Sequence, residues 1–138
     1  MKILIDTNII LDHLLERAPF KQSAARIFSE TEKGRLTTYI GGTTVTTIHY
    51  LVTKALGIKA AHAAIEQLLR LFEVAPITRT VLVSAVLLKF VDYEDAVLHE
   101  AAVHAGIQAI VTRDTKGFQK ANIAVYSSDE FVASLPLL

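Results

Sequence analysis

The sequence predicts an α/β protein: a three-layer α/β/α sandwich around a central, mainly parallel sheet of five strands. Three observations predict it. Short apolar runs of strand character alternate along the whole chain with longer segments at helical spacing. No hairpin turn signal joins any two of the strands, so the connections pass through helices and the strands run parallel. The chain has 138 residues and is 51% hydrophobic, which suits one domain, residues 1–138, with one sizeable core.

Each element has a local reason. Residues 2–5 form a short apolar run stopped by polar residues, a buried strand. A helix from about Asn8 to Leu15 follows, carrying Ile9, Ile10, Leu11, Leu14 and Leu15. Pro19 fits the first turn of a second helix, which runs to about Lys33 and stops at Gly34. Thr37 to Ile40 is the second strand, broken by Gly41-Gly42. A helix from about Thr43 to Leu56 ends at Gly57, and residues 59–71 form another. Phe72 to Ile77 is the third strand, with pairing limited by Pro76. A helix from about Arg79 to Phe90 comes next. The helix headed by Asp95 runs to Gly106, a good C-terminal stop. Gln108 to Thr112 and Ile123 to Tyr126 are the last strands, and Ser128 caps a final helix to Leu135.

Composition narrows the chemistry. There is no cysteine, which excludes disulfides and thiolate metal sites. The five histidines (13, 49, 62, 99 and 104) show no zinc spacing on one face. The formal net charge is zero, so contact with nucleic acid has to be local, through a few placed Lys or Arg. No apolar stretch is long enough to span a bilayer, and the first residues enter a strand with no leader pattern. The expectation is a cytoplasmic protein with no membrane partner.

The carboxylates carry the functional signal. Asp6 ends the first strand, and Asp114 follows the fourth. Asp92-Tyr93-Glu94-Asp95 heads a helix. In a parallel sheet the ligand crevice lies beyond the carboxyl ends of the strands, where these groups converge. Converging carboxylates repel each other unless a cation lies between them. The pattern therefore points to a hard-metal site and to hydrolysis. Each acid also has a structural reading. Asp6 or Asn8 suits the N-cap of the first helix, acids at 92–95 suit a helix dipole, and Asp114 suits a turn.

Ile5-Asp6-Thr7-Asn8, Asp92-Tyr93-Glu94-Asp95-Ala96, and Val111-Thr112-Arg113-Asp114 with Lys116 and Phe118 together resemble the PIN-domain ribonucleases, the family of the VapC-type toxins. The resemblance covers nearly the whole chain. It implies a metal-dependent endoribonuclease using Mg²⁺ or Mn²⁺, with RNA as substrate and a 5′-phosphate as product. It also implies an antitoxin partner, the toxin role in a toxin–antitoxin pair, and a homodimer. Asp6, Asp95 and Asp114 match the metal-binding catalytic acids, with Thr112 and Asn8 in support. The family usually carries a Glu early in the helix after the second strand. Here that stretch, Thr43 to Tyr50, holds no acid, and Thr47 is the best match for the missing residue. A branch of the family resembling this chain also lacks that Glu and keeps Ile48-x-Tyr50-Leu51-x-x-Lys54 and the Glu94-Asp95 pair.

Glu94 is thus either the source of the charge absent at Thr47 or a solvated acid at a helix start. Lys54, two turns beyond Thr47 on one helix face, and Arg113, Lys116 and Lys120 beside Asp114 are candidate RNA-phosphate contacts or ordinary surface charge. The first alternative to a nuclease is a degenerate PIN domain that binds RNA or a protein without efficient cleavage. A phosphotransfer receiver domain fits less well, because only Asp6 follows the first strand and Pro76-Ile77-Thr78 follows the third. An Asp-x-Asp phosphohydrolase is disfavoured by Asn8 at the second acidic position.

Overall fold

The computed structural model describes residues 1–136. The elements are β1 (Lys2–Ile5), α1 (Thr7–Leu14), α2 (Lys21–Glu32), β2 (Thr37–Gly41), α3 (Gly42–Leu56), α4 (Ile58–Leu71), β3 (Glu73–Ala75), α5 (Arg79–Leu87), α6 (Tyr93–His104), β4 (Ala109–Val111), a 3₁₀ turn (Thr115–Phe118), β5 (Ala124–Tyr126) and α7 (Ser128–Ser134). The five strands lie in the order β3-β2-β1-β4-β5, and all four neighbouring pairs are parallel.

That order fixes where a site forms. The chain builds outward from β1 through β2 to β3, then returns to the other side of β1 for β4 and β5. The reversal leaves a crevice beyond the carboxyl ends of β1 and β4, the usual ligand position in open α/β sheets. The two strands are in register from Ile3 opposite Ala109 to Ile5 opposite Val111. The next residues of each, Asp6 and Thr112, therefore emerge side by side.

The strands feed two cores because alternate side chains point to opposite faces. Ile3, Ile5, Ala109 and Val111 pack with Ile9, Ile10, Ile27, Phe28, Ile48 and Leu68 beneath α1–α4 and α7. Leu4 and Ile110 pack with Val81, Ala85, Val97, Leu98 and Phe118 beneath α5 and α6. Helices thus cover both faces of the sheet, giving the three-layer α/β/α sandwich.

Several boundaries differ from the sequence expectation, each for a local reason. β3 ends at Ala75, before Pro76, which has no N–H to give the ladder. α5 stops at Leu87, and Lys89 then takes a positive φ of 57° that no α-helix accommodates. α6 starts at Tyr93 because Asp92 caps it. α2 begins at Lys21, two residues beyond Pro19. The cap of α7 is Ser127, not Ser128: its side chain and that of Glu130 satisfy each other's backbone N–H groups.

Candidate active site

Asp6 is the hinge between β1 and α1. Its backbone is extended, as an N-cap requires, and its Oδ1 accepts the Thr7 N–H at 2.7 Å. Its Oδ2 accepts the Thr112 hydroxyl at 2.9 Å. The Thr112 hydroxyl oxygen in turn accepts the Asp114 N–H at 3.0 Å. Asp6 is therefore a cap and a member of the crevice at once, and Thr112 ties it to the segment carrying Asp114. Thr7 adds a second tie, its hydroxyl lying 3.2 Å from that of the buried Thr44 on α3.

The acids at the start of α6 divide the work. Asp92 is the cap, with Oδ1 accepting the N–H groups of Glu94 and Asp95 at 2.8 and 3.3 Å. The carboxylates of Glu94 and Asp95 are left out of the capping. Asp114 caps the 3₁₀ turn by accepting the Gly117 N–H at 3.2 Å. Gly117 also makes room for two acids. A Cβ on it would stand 2.5 Å from Asp95 Oδ2 and 2.9 Å from Asp114 Oδ2. Both carboxylates thus crowd the same point, which only a residue without a side chain leaves vacant.

The electrostatics mark these acids as one cluster. The Asp95 carboxyl is pushed up to about 7, by burial first and then by the charges of Asp6, Asp92, Asp114 and Glu94. Burial also raises Asp6, helped by Asp114 and Asp92 and opposed by the hydrogen bonds from Thr112 and Thr7. Burial, Asp92 and Asp6 raise Glu94. Among the described residues no Lys, Arg or His forms an ion pair with Asp6, Glu94, Asp95 or Asp114.

The other predicted residues fall into distinct places. The Thr47 hydroxyl donates to the Thr43 carbonyl one turn back, at 3.1 Å. Thr47 also lines a depression of about 320 Å³ with Thr43, Thr46, Leu82, Tyr93, Glu94 and Val97, so Thr47 and Glu94 share one recess. Asn8 accepts from the Arg17 guanidinium at its carbonyl, at 3.3 Å, and at its side-chain Oδ1, at 3.4 Å. Lys54 is exposed, with its ammonium 4.9 Å from the Tyr50 ring centre. Lys116 is exposed, and Lys120 donates to the Lys89 carbonyl. Arg113 turns from the acids toward Asp12, and its guanidinium lies over the Phe20 ring. A larger cavity of about 340 Å³, between α1, α2 and α4, contains none of the candidate acids. Buried His99 is structural: Nδ1 meets Glu100 and Nε2 accepts the Asn122 N–H.

Sequence reasoning missed Gly117, Thr44 and Asp12. The Asp114-x-x-Gly117 spacing, an acid followed three residues later by glycine, is the one signal that pointed to the first.

Among the described residues, no three His, Asp or Glu side chains close into a ready-made ligand set. The donor chemistry nevertheless fits a hard cation. The donors are carboxylate and hydroxyl oxygens, the acids lack a counter-charge, and Gly117 opens space for two of them. Mg²⁺ keeps several waters and takes only one or two carboxylates directly, so an open arrangement suits it.

Solved structures share this fold. VapBC2 from Rickettsia felis, bound to a DNA fragment from its promoter, is 14% identical with a TM-score of 0.72, over 91% of this chain and 97% of that one. FitAcB from Neisseria gonorrhoeae is 22% identical with a TM-score of 0.70, over 91% and 97%. VapC20 from Mycobacterium tuberculosis, a sarcin-ricin loop cleaving toxin, is 17% identical with a TM-score of 0.63, over 78% and 86%. No protein with a curated description matches. The family model of the PIN domain matches residues 2–116, every strand but β5 and all the candidate acids, and the chain belongs to the PIN domain family.

Proposed function

We propose that this protein is a divalent-metal-dependent endoribonuclease that serves as the toxin of a toxin–antitoxin pair. PIN-domain proteins are generally nucleases that use divalent metals. The observation that carries the reading here is the approach of Asp95 and Asp114 at Gly117, with Asp6 close enough for its charge to raise Asp95, and no cationic partner for any of the three among the described residues.

In this reading Asp6, Asp95 and Asp114 hold Mg²⁺ or Mn²⁺. When bound, the ion supplies an acidified water and offsets charge on the scissile phosphate. Thr112 fixes the orientation of Asp6 through its hydroxyl. Glu94 provides the negative charge that Thr47 lacks in their shared recess, and the Thr47 hydroxyl serves water rather than the ion. Asn8 shapes the start of α1 through Arg17. Lys54 and Lys116, both exposed, meet RNA phosphates as local charge contacts. Arg113 is not assigned to RNA, because Asp12 and Phe20 already engage it. Hydrolysis leaves a 5′-phosphate.

The test is cleavage of RNA with and without Mn²⁺. Asp6→Asn and Asp95→Asn should each lower the rate about a thousandfold, a few kcal/mol of transition-state stabilisation. Undiminished cleavage in either variant would remove that residue from the site.

One observation favours a second reading. With Thr47 in place of an acid, the cluster has one charge fewer, which suits a PIN domain that binds RNA or a protein without efficient cleavage. Mn²⁺ binding with no RNA turnover would select it.

An antitoxin partner is supported by the solved relatives, among them a toxin–antitoxin complex from Klebsiella pneumoniae. A homodimer is supported by the apolar side chains that α5 leaves exposed, Val83, Val86 and Leu87. Light scattering of the purified chain, alone and with the product of the adjoining gene, tests both.

A further inference from the structure

We propose that Asp12 is a positioning residue that holds the Arg113 guanidinium away from the carboxylate cluster, preserving the negative field that a divalent cation enters. This rests on the metal-dependent reading above and names a residue outside it.

Arg113 has an unusual address. It stands between Thr112, which bonds Asp6, and Asp114, which crowds Asp95. Uncompensated carboxylates, one of them the buried Asp6 and one the half-buried Asp95, attract the nearest cation, and an arginine is a good bidentate partner for them. Yet the only carboxylate that Arg113 meets among the described residues is Asp12 of α1, with Nε 3.4 Å from Oδ2. Its guanidinium carbon lies 4.0 Å from the centre of the Phe20 ring, so an aromatic face holds the group from a second side.

Asp12 is built for this pull. It is fully buried within α1, where an ionised carboxylate needs counter-charge. Arg17 serves one oxygen, Oδ1, at 3.0 Å. The other, Oδ2, has no aligned hydrogen bond, and neither has Arg113 Nε. Charge and the Phe20 stack therefore hold Arg113, rather than a directional bond. Such a tether lets go when either partner is removed. A released guanidinium, one residue from Asp114, then has the cluster within side-chain reach and occupies the field meant for the metal.

The test is Mn²⁺ affinity, read from the electron paramagnetic resonance signal of free Mn²⁺, on the full chain without RNA. A thermal melt accompanies each variant. Asp12→Asn should weaken Mn²⁺ binding about tenfold, and Phe20→Ala about threefold, as a mobile positive charge enters the site. Arg113→Gln, which leaves no guanidinium to release, is the reference. Asp12→Asn combined with Arg113→Gln should return to the affinity of that reference. A purely structural role for Asp12 predicts no such recovery, because the second substitution removes yet another contact. If Asp12→Asn fails to fold, Phe20→Ala with and without Arg113→Gln makes the same comparison at a half-buried residue.

Unchanged affinity in Asp12→Asn and Phe20→Ala, or no recovery in the double variants, overturns the proposal while leaving the metal site intact. A wild-type chain that binds no Mn²⁺ overturns the metal reading itself, and this inference with it.

Discussion

The Thr112 hydroxyl donates to Asp6 Oδ2 at 2.9 Å, across the gap between the ends of two parallel strands. That bond orients the first acid of the cluster and opposes the rise in its pKa caused by burial. Thr112→Val removes it while keeping the side-chain shape. Leaving a buried carboxylate short of a donor should cost about 1–3 kcal/mol, read from urea unfolding at neutral pH. The deficit should shrink in acid, where Asp6 is protonated and needs the donor less. Thr112→Ser should lose far less. Equal losses in both variants would mean that the methyl group, not the hydroxyl, matters.

Asp95 makes stability depend on pH in a set direction. Its folded pKa, about 7, lies above the ordinary aspartate value of about 3.9. Between those values the folded state holds a proton that the unfolded chain releases. Metal-free stability should therefore be highest at the acid end of the window and fall as pH rises toward and through 7. Asp95→Asn should flatten the slope and make the metal-free protein more stable than wild type at pH 8. Mn²⁺ binding near pH 7 should release a proton, seen as a buffer-dependent heat in calorimetry. A wild-type profile as flat as that of Asp95→Asn would show that neither burial nor the neighbouring charges raise Asp95 in the folded protein.

Gly117→Ala asks whether the crowding of Asp95 and Asp114 serves the metal. The new Cβ would stand 2.5 and 2.9 Å from their Oδ2 atoms, closer than packing allows, so both carboxylates must move. Because the atoms it meets are the tips of flexible side chains at the protein surface, the carboxylates can swing aside at little cost to stability. A drop in Mn²⁺ affinity of about tenfold should accompany the move, since a shift of 1.4 kcal/mol in binding gives that factor. Unaltered affinity would place the ion elsewhere in the crevice.

Thr47→Glu restores an acid to the recess it shares with Glu94. Without metal, the added charge repels its neighbours and should lower the melting temperature. With Mn²⁺, it should tighten binding, and in calorimetry the two effects carry opposite signs. No gain in affinity would mean that Thr47 does not stand in the vacant ligand position.

The order of strands and helices was legible in the sequence because apolar periodicity and Gly or Pro stops are local properties. β1, β2, α3, α4 and α7 begin and end within a few residues of expectation for that reason. The misplaced ends have tertiary or stereochemical causes. α6 starts at Tyr93 because Asp92 caps it, and Asp114 caps the 3₁₀ turn after β4 through the Gly117 N–H. No apolar pattern announces either.

The candidate acids Asp6, Asp95 and Asp114 were legible from residue type and position at strand ends and helix starts. The sequence by itself determined the α/β class, the family resemblance, and the absence of thiolate ligands in a chain without cysteine. Only the tertiary structure decided which residues meet. The β3-β2-β1-β4-β5 order places Asp6 beside Thr112, although 106 positions separate them in sequence. It also assigns Arg113 to Asp12 rather than to its neighbour Asp114. Spacing along a chain fixes the direction of a side chain within one helix or strand. Partners across a sheet are set by strand order and register, and the burial that shifts Asp95 to about 7 exists only once the layers have packed.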